Sequence, residues 1–266
     1  MLIDAHAHLD RYDLLGEHVL GSALAEITEH KIFTISNSMD LVSYMRNLEI
    51  AEMSDWVLPT FGIHPWNAME YAERLGELNT AAERSPMLGE IGLDHYFVKE
   101  TASYPGQQKV FEYFLGFARK QGKLVILHTK GAEKEVLELL ERYEISRGIV
   151  HWYSGPLDIL RSMIAKGLYF TVGIEVLHSE HIRRIAKEIP VSRLLTETDN
   201  PGGPKEFLGE YGKPVLVKEV IRGLAEARQM TPEALIDAVR SNLHELLQDN
   251  PWLADSHRNK LKEKTN

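Results

Sequence analysis

Leu2-Ile3-Asp4-Ala5-His6-Ala7-His8 opens the chain as a short apolar run that ends in two histidines two residues apart. Residues i and i+2 of a strand point to one side, so His6 and His8 would aim both imidazoles at one place. Two neutral imidazoles converging there suit a zinc-like or other divalent cation. The same stretch separates two α/β architectures. A doubly wound sheet normally carries a glycine-rich phosphate loop after its first strand. Here the histidines stand in that place.

Working outward from 2–5, further strand-like runs lie at 32–35, 57–62, 87–92, 124–127, 149–150, 168–172 and 194–197. Between them, apolar residues recur at helical spacing. Val19, Leu20, Ala23, Leu24 and Ile27 form one stripe, and Val110, Phe111, Phe114, Leu115 and Ala118 another. Segments 132–140 and 157–164 read the same way. A Pro- and Gly-rich loop at 200–214 precedes helices expected over 215–228 and 231–247. The second of these opens on Thr231-Pro232-Glu233, a cap with proline at the first helical position. Strands alternating with helices predict an α/β fold with a parallel sheet. Eight such units within 266 residues favour a single-domain (β/α)8 TIM barrel over 1–250. Residues 251–266 read as a charged C-terminal tail that frays.

A hydrophobic content of 44% is enough for a full core. No apolar run reaches the ~18–20 residues of a membrane helix. No basic stretch leads into an apolar core near the start, so no signal peptide is expected and a cytoplasmic location is. The chain has no cysteine, which leaves histidines and carboxylates to hold any metal. A net charge of −9 argues against broad electrostatic binding to DNA. A local cationic site stays open, and bound metals would reverse the local sign.

Barrel enzymes keep their chemistry at the C-terminal ends of the strands. Those ends carry His6 and His8, His64 in Gly62-Ile63-His64-Pro65-Trp66, Glu90 and Asp94 in Gly89-Glu90-Ile91-Gly92-Leu93-Asp94, His128, His151, and Glu197-Thr198-Asp199. One such histidine means little, but ionisable groups on the same rim of strands one, four, five, six and eight read as a site. His6, His8 and Asp199 would hold one metal, His128 and His151 a second, with Glu90 bridging. Two cations about 3.5–4 Å apart can clamp the attacking and leaving oxygens of a hydrolysis, and a bound water ionises near neutral pH. Asp199 could take or orient the proton of that water. Ligands of this kind fit Zn, Mn, Fe or Mg.

Asp-Ala-His-Ala-His-Leu-Asp at 4–10, Gly-Ile-His-Pro-Trp at 62–66, Gly-Glu-Ile-Gly-Leu-Asp at 89–94, Leu-Val-Ile-Leu-His ending at 128, His-Trp-Tyr-Ser-Gly at 151–155 and Glu-Thr-Asp-Asn-Pro at 197–201 together resemble the TatD-type metal-dependent deoxyribonucleases of the amidohydrolase superfamily. The motifs stand in family order and span residues 4 to about 247. The resemblance implies a barrel with two divalent metal cations that hydrolyses phosphodiester bonds in DNA, often from the 3′ end. It implies His6, His8, Glu90, His128, His151 and Asp199 as ligands, and His64 facing the substrate phosphate. Metal-bound hydroxide would attack phosphorus, Asp199 and Glu90 would be the catalytic carboxylates, and His64 and Lys130 would position the phosphate.

Three positions depart from the family pattern. Lys130 stands where an Arg is usual and offers a point charge in place of a bidentate fork. Trp152-Tyr153 replaces Cys-Phe after His151, and the loop Pro201-Gly202-Gly203-Pro204-Lys205 is distinct. A small-molecule phosphodiesterase is the nearest alternative activity, and a lactonase, esterase or amidase a second, since fold alone does not fix chemistry. Many barrels of that second class use a carbamylated Lys on strand four, where this chain has Glu90.

The remaining candidates have plainer expectations. Pro65 favours an extended backbone at His64 and leaves its ring free to face the mouth. Trp66 and Trp152 could stack on bases, although such aromatics more often wall a core. Asp94 is expected to orient a ligand or loop, and Asp4 to be structural, as is Asn242. Lys205, His30, His178, His181 and His244 are expected at the surface.

Overall fold

The computed structural model describes residues 1–262. Its strands are β1 (Leu2–Ala7), β2 (Ile32–Asn37), β3 (Val57–Thr60), β4 (Met87–Gly92), β5 (Leu124–His128), β6 (Gly148–Val150), β7 (Tyr169–Val172) and β8 (Leu194–Thr196). Every pairing is parallel and between sequence neighbours, in the order β1-β2-β3 and then β4 through β8. Each strand is covered on both faces, which explains why the strands read as continuous apolar runs.

The two sets of strands close into one barrel at two seams. At the first, Phe61 bridges Leu88, and Gly89 N donates to Phe61 O at 2.8 Å. At the second, β8 returns to β1: Asp199 N donates to His6 O at 2.9 Å and His8 N to Asn200 O at 2.7 Å. Asp4 locks this seam. Its buried carboxylate accepts from Thr198 N at 2.9 Å and from Thr198 Oγ1 at 2.6 Å. Asp4→Ala would leave the Thr198 donors buried without a partner, so urea unfolding should show a loss of about 1–3 kcal/mol or more. An unchanged midpoint would mean that the seam does not need this carboxylate.

The expected helices form, including Val217–Arg228 and Pro232–Leu247. Thr231 accepts from Ala234 N at 3.2 Å and Pro232 occupies the first turn, as the cap sequence indicates. Buried Asn242 donates to Val191 O and Leu194 O, tying the last barrel helix to the start of β8. Helices Leu41–Met53 and Glu180–Glu188 lie outside the stripes identified by spacing. Asp40 and Ser179 cap them.

The fraying expected over 251–266 does not describe its first part. Asp255–Lys262 is a helix that buries His257 and Leu261, and His257 Nε2 meets Val57 O at 2.8 Å. The segment is charged on one face, and its buried face sets His257 against Val57 of β3 and Phe33 of β2. Residues 263–266 of the expected tail lie outside the described residues.

Candidate metal centre

The strand ends bring the six expected ligands together around Glu90, which is 1% exposed. Glu90 Oε2 lies 3.2 Å from His6 Nε2 and 3.3 Å from His8 Nε2. Asp199 Oδ1 closes the group at 3.3 Å from His8 Nε2 and 3.6 Å from His6 Nε2. The other carboxylate oxygen, Oε1, faces His128 Nδ1 at 2.7 Å and His151 Nε2 at 2.9 Å. Two nitrogen-and-oxygen pockets therefore share one carboxylate. His6 Nε2 and Glu90 Oε2 are buried with no hydrogen-bond partner, a condition that a cation between them would relieve. Sets of His and Glu here have the spacing to hold metal ions.

The far nitrogens of these rings are also held. His8 Nδ1 donates to Asn37 O at 2.9 Å, His151 Nδ1 faces Glu197 Oε2 at 3.2 Å, and His128 Nε2 faces Asp94 Oδ2 at 3.0 Å. An acceptor on the outer nitrogen keeps its proton there and turns the lone pair of the inner nitrogen to the cluster. The Asn37 side-chain amide sits 3.0 Å from His6 Nδ1. Asp94 thus does what its position suggested, and it also accepts from Trp66 Nε1 and from Tyr96 N and Phe97 N. The contacts of Asn37 and Glu197 were not anticipated. Glu197 carried a signal, since it begins the Glu-Thr-Asp run; Asn37 carried none beyond ending a strand.

Gly92 explains the glycine that closes the β4 motif. Its φ is +150°, and a Cβ there would overlap the His128 carbonyl oxygen. Only glycine lets β4 pass so close to the end of β5, which brings Glu90 against His128.

His64 lies inside the cluster, 4% exposed, with Nε2 3.5 Å from Glu90 Oε1. Its Nδ1 accepts from Trp66 N at 3.2 Å, so the neutral ring carries its proton on Nε2. Burial drives its pKa down to about 4, which keeps the ring neutral. That tautomer makes His64 a hydrogen-bond donor toward the centre. Lys130 Nζ donates to Trp152 O and Ser154 Oγ, each at 2.8 Å, and sits 5.6 Å from the Trp152 ring centroid. Burial lowers its pKa, opposed by Glu175, Glu197 and Asp199. Two departures from the family pattern, Lys130 and Trp152, therefore touch each other. His181 and His178 are both at the surface, where His181 Nε2 meets Ser154 O and Gly155 O and the His178 ring stacks on Phe207. Exposed Lys205 lies beside Tyr211.

The charges of the cluster make cation uptake depend on pH. Burial disfavours a charged His151, but Glu90 and Glu197 outweigh it and push its pKa up to about 10. Burial likewise opposes charge on His8, and Asp199 and Glu90 raise it well above the usual histidine value. Both rings are thus protonated near neutral pH without metal, whereas ligation requires the neutral form. Cation uptake should release these protons, and affinity should rise by about tenfold per pH unit for each proton released. Calorimetric titrations in buffers of different ionisation heat check this; affinity that does not vary with pH would contradict it.

The family model described as TatD related DNase matches residues 3–248. The chain belongs to the TatD family of metal-dependent hydrolases. It is 30% identical to the metal-dependent hydrolase YabD of Bacillus subtilis, over 94% of this chain and 100% of that one. Its fold matches the crystal structure of YjjV, a TatD homolog from Escherichia coli, with a TM-score of 0.82 and 25% identity over 92% of this chain and 97% of that one. A TatD family hydrolase from Entamoeba histolytica superposes with a TM-score of 0.81 at 18% identity, covering 92% and 97%, a likeness of fold. The TatD chain described here has no helix long and apolar enough to cross a membrane among its described residues.

Proposed function

We propose that this TatD-family hydrolase is a cytoplasmic deoxyribonuclease that removes nucleotides from the 3′ end of DNA, with two divalent cations held by His6, His8, Glu90, His128, His151 and Asp199. The observation that carries the reading is Glu90, whose two oxygens each face a separate set of imidazole nitrogens. Bound cations would supply an ionised water near neutral pH and offset charge on the phosphodiester oxygens. The remaining work belongs to the side chains. Asp199, whose side chain is 19% exposed, is the carboxylate of the cluster most open to the mouth, and it accepts the water proton. Neutral His64 donates its Nε2 proton to a non-bridging phosphate oxygen. Lys130 reaches the same mouth from the β5 end and adds positive charge there.

The test is a substrate panel on protein of known metal content. Single-stranded DNA should shorten with at least one of Mg, Mn, Co or Zn, and chelation should stop it. If DNA stays intact with all four while lactones or other esters turn over, the site serves carbon–oxygen hydrolysis of small molecules.

A further inference from the structure

The rim beside His64 carries an open row of rings that the chemistry above does not use. Trp66, Phe97 and Tyr96 are 52%, 54% and 59% exposed. Large apolar side chains left this open next to a site mark a contact surface. Ring centroids step outward from the centre: His64 to Trp66 at 4.8 Å, Trp66 to Phe97 at 6.1 Å, Phe97 to Tyr96 at 4.8 Å. Lys99 ends the row, with Nζ 4.9 Å from the Tyr96 ring centroid.

The row is rigidly tied to the centre. One oxygen of Asp94 accepts from Trp66 Nε1 at 2.7 Å and faces His128 Nε2 at 3.0 Å. Its other oxygen accepts from Tyr96 N at 2.9 Å and Phe97 N at 2.7 Å. A single carboxylate therefore sets both a cluster histidine and the aromatic rim. The aromatics on the opposite side differ, because Trp152, Phe207 and His178 are already stacked on one another.

We propose that Trp66, Phe97 and Tyr96, with Lys99 at the outer end, form an aromatic contact surface for the nucleobases of a strand whose phosphodiester is bound at the centre. The inference rests on the nuclease reading. Outward from the cluster the rim offers open aromatic rings set edge to face and then a lysine, which suits the bases and a backbone phosphate further along a strand held at the centre. Base stacking on exposed aromatics tolerates any base, because each has a π-face, and Lys99 adds attraction for the backbone.

The experiment compares binding of two short, cleavage-resistant phosphorothioate oligonucleotides by fluorescence anisotropy, one with bases and one abasic, to the metal-loaded protein. The base-bearing strand should bind more tightly by on the order of tenfold. Phe97→Ala and Tyr96→Ala should each remove most of that preference. Phe97→Trp should keep it, and Phe97→Leu, apolar but without a ring, should not. Equal binding of the two strands, or a preference unaltered by both alanine variants, overturns the contact surface. A preference that stands while no ordinary oligonucleotide is cleaved with any cation supports the contact surface and overturns the nuclease.

Discussion

Glu90→Gln should lose hydrolytic activity by on the order of a thousandfold and lose bound metal in the same step. Burial alone would push the Glu90 carboxyl up, yet His151, His64 and His6 around it hold it well below the usual carboxylate range. The wild-type side chain is thus an anion facing five imidazoles, with the distances given above. The amide is nearly the same size but uncharged, and one of its two ends is a donor. It cannot face both sets of imidazoles with an acceptor, and it gives a bound cation no counter-charge. Because the volume is kept, the barrel should still form, and circular dichroism should show this. Metal content by elemental analysis and turnover should fall together. Full metal content with wild-type turnover would exclude a shared ligand at this position.

Asp199→Asn should lower kcat by about a hundredfold to ten-thousandfold, the range usual for a lost general base. Asp199 adopts φ +54°, a left-handed conformation. Asparagine is among the few residues that tolerate it, so the backbone should not shift. Burial raises the Asp199 carboxyl, and His8, His6 and His151 outweigh it, so the group is ionised. The variant should keep metal at the Glu90–His128–His151 side, and its metal content should fall less than that of Glu90→Gln. A variant with normal kcat would remove Asp199 from the proton transfer.

The two substitutions separate holding from reacting. Glu90 is enclosed, 1% exposed, and its neighbours are all imidazoles; Asp199 stands at the edge, with its side chain 19% exposed. An enclosed anion between two donor sets is suited to fix cations. An anion at the edge, next to solvent, is suited to meet a water.

Much of the fold was legible because it repeats a local rule. Parallel strands buried on both faces appear as apolar runs, and helices between them as stripes, so all eight strands fell near their expected places. The clustered positions were legible for a related reason. A strand that enters a barrel rim ends its apolar run there, so His6, His8, Glu90, His128, His151 and Asp199 stand out as polar residues at those stops. The helix Asp255–Lys262 was not legible, because its short sequence is dominated by charge and its burial depends on contacts with Val57 and Phe33 far away in the chain.

By itself, the sequence determined the barrel, the identity of the clustered side chains and the absence of thiolate ligands, since each follows from spacing and residue type along one chain. Tertiary structure decided how those side chains are held. The proton of His8 is placed by a carbonyl 29 residues away, and that of His151 by Glu197, 46 residues away. His64 became a donor only because Trp66 N faces its other nitrogen. Lys130 met the Trp152 carbonyl and Ser154 across two strands. Hydrogen-bond partners of this kind depend on which strands become neighbours when the sheet closes, and no single stretch of sequence contains that information.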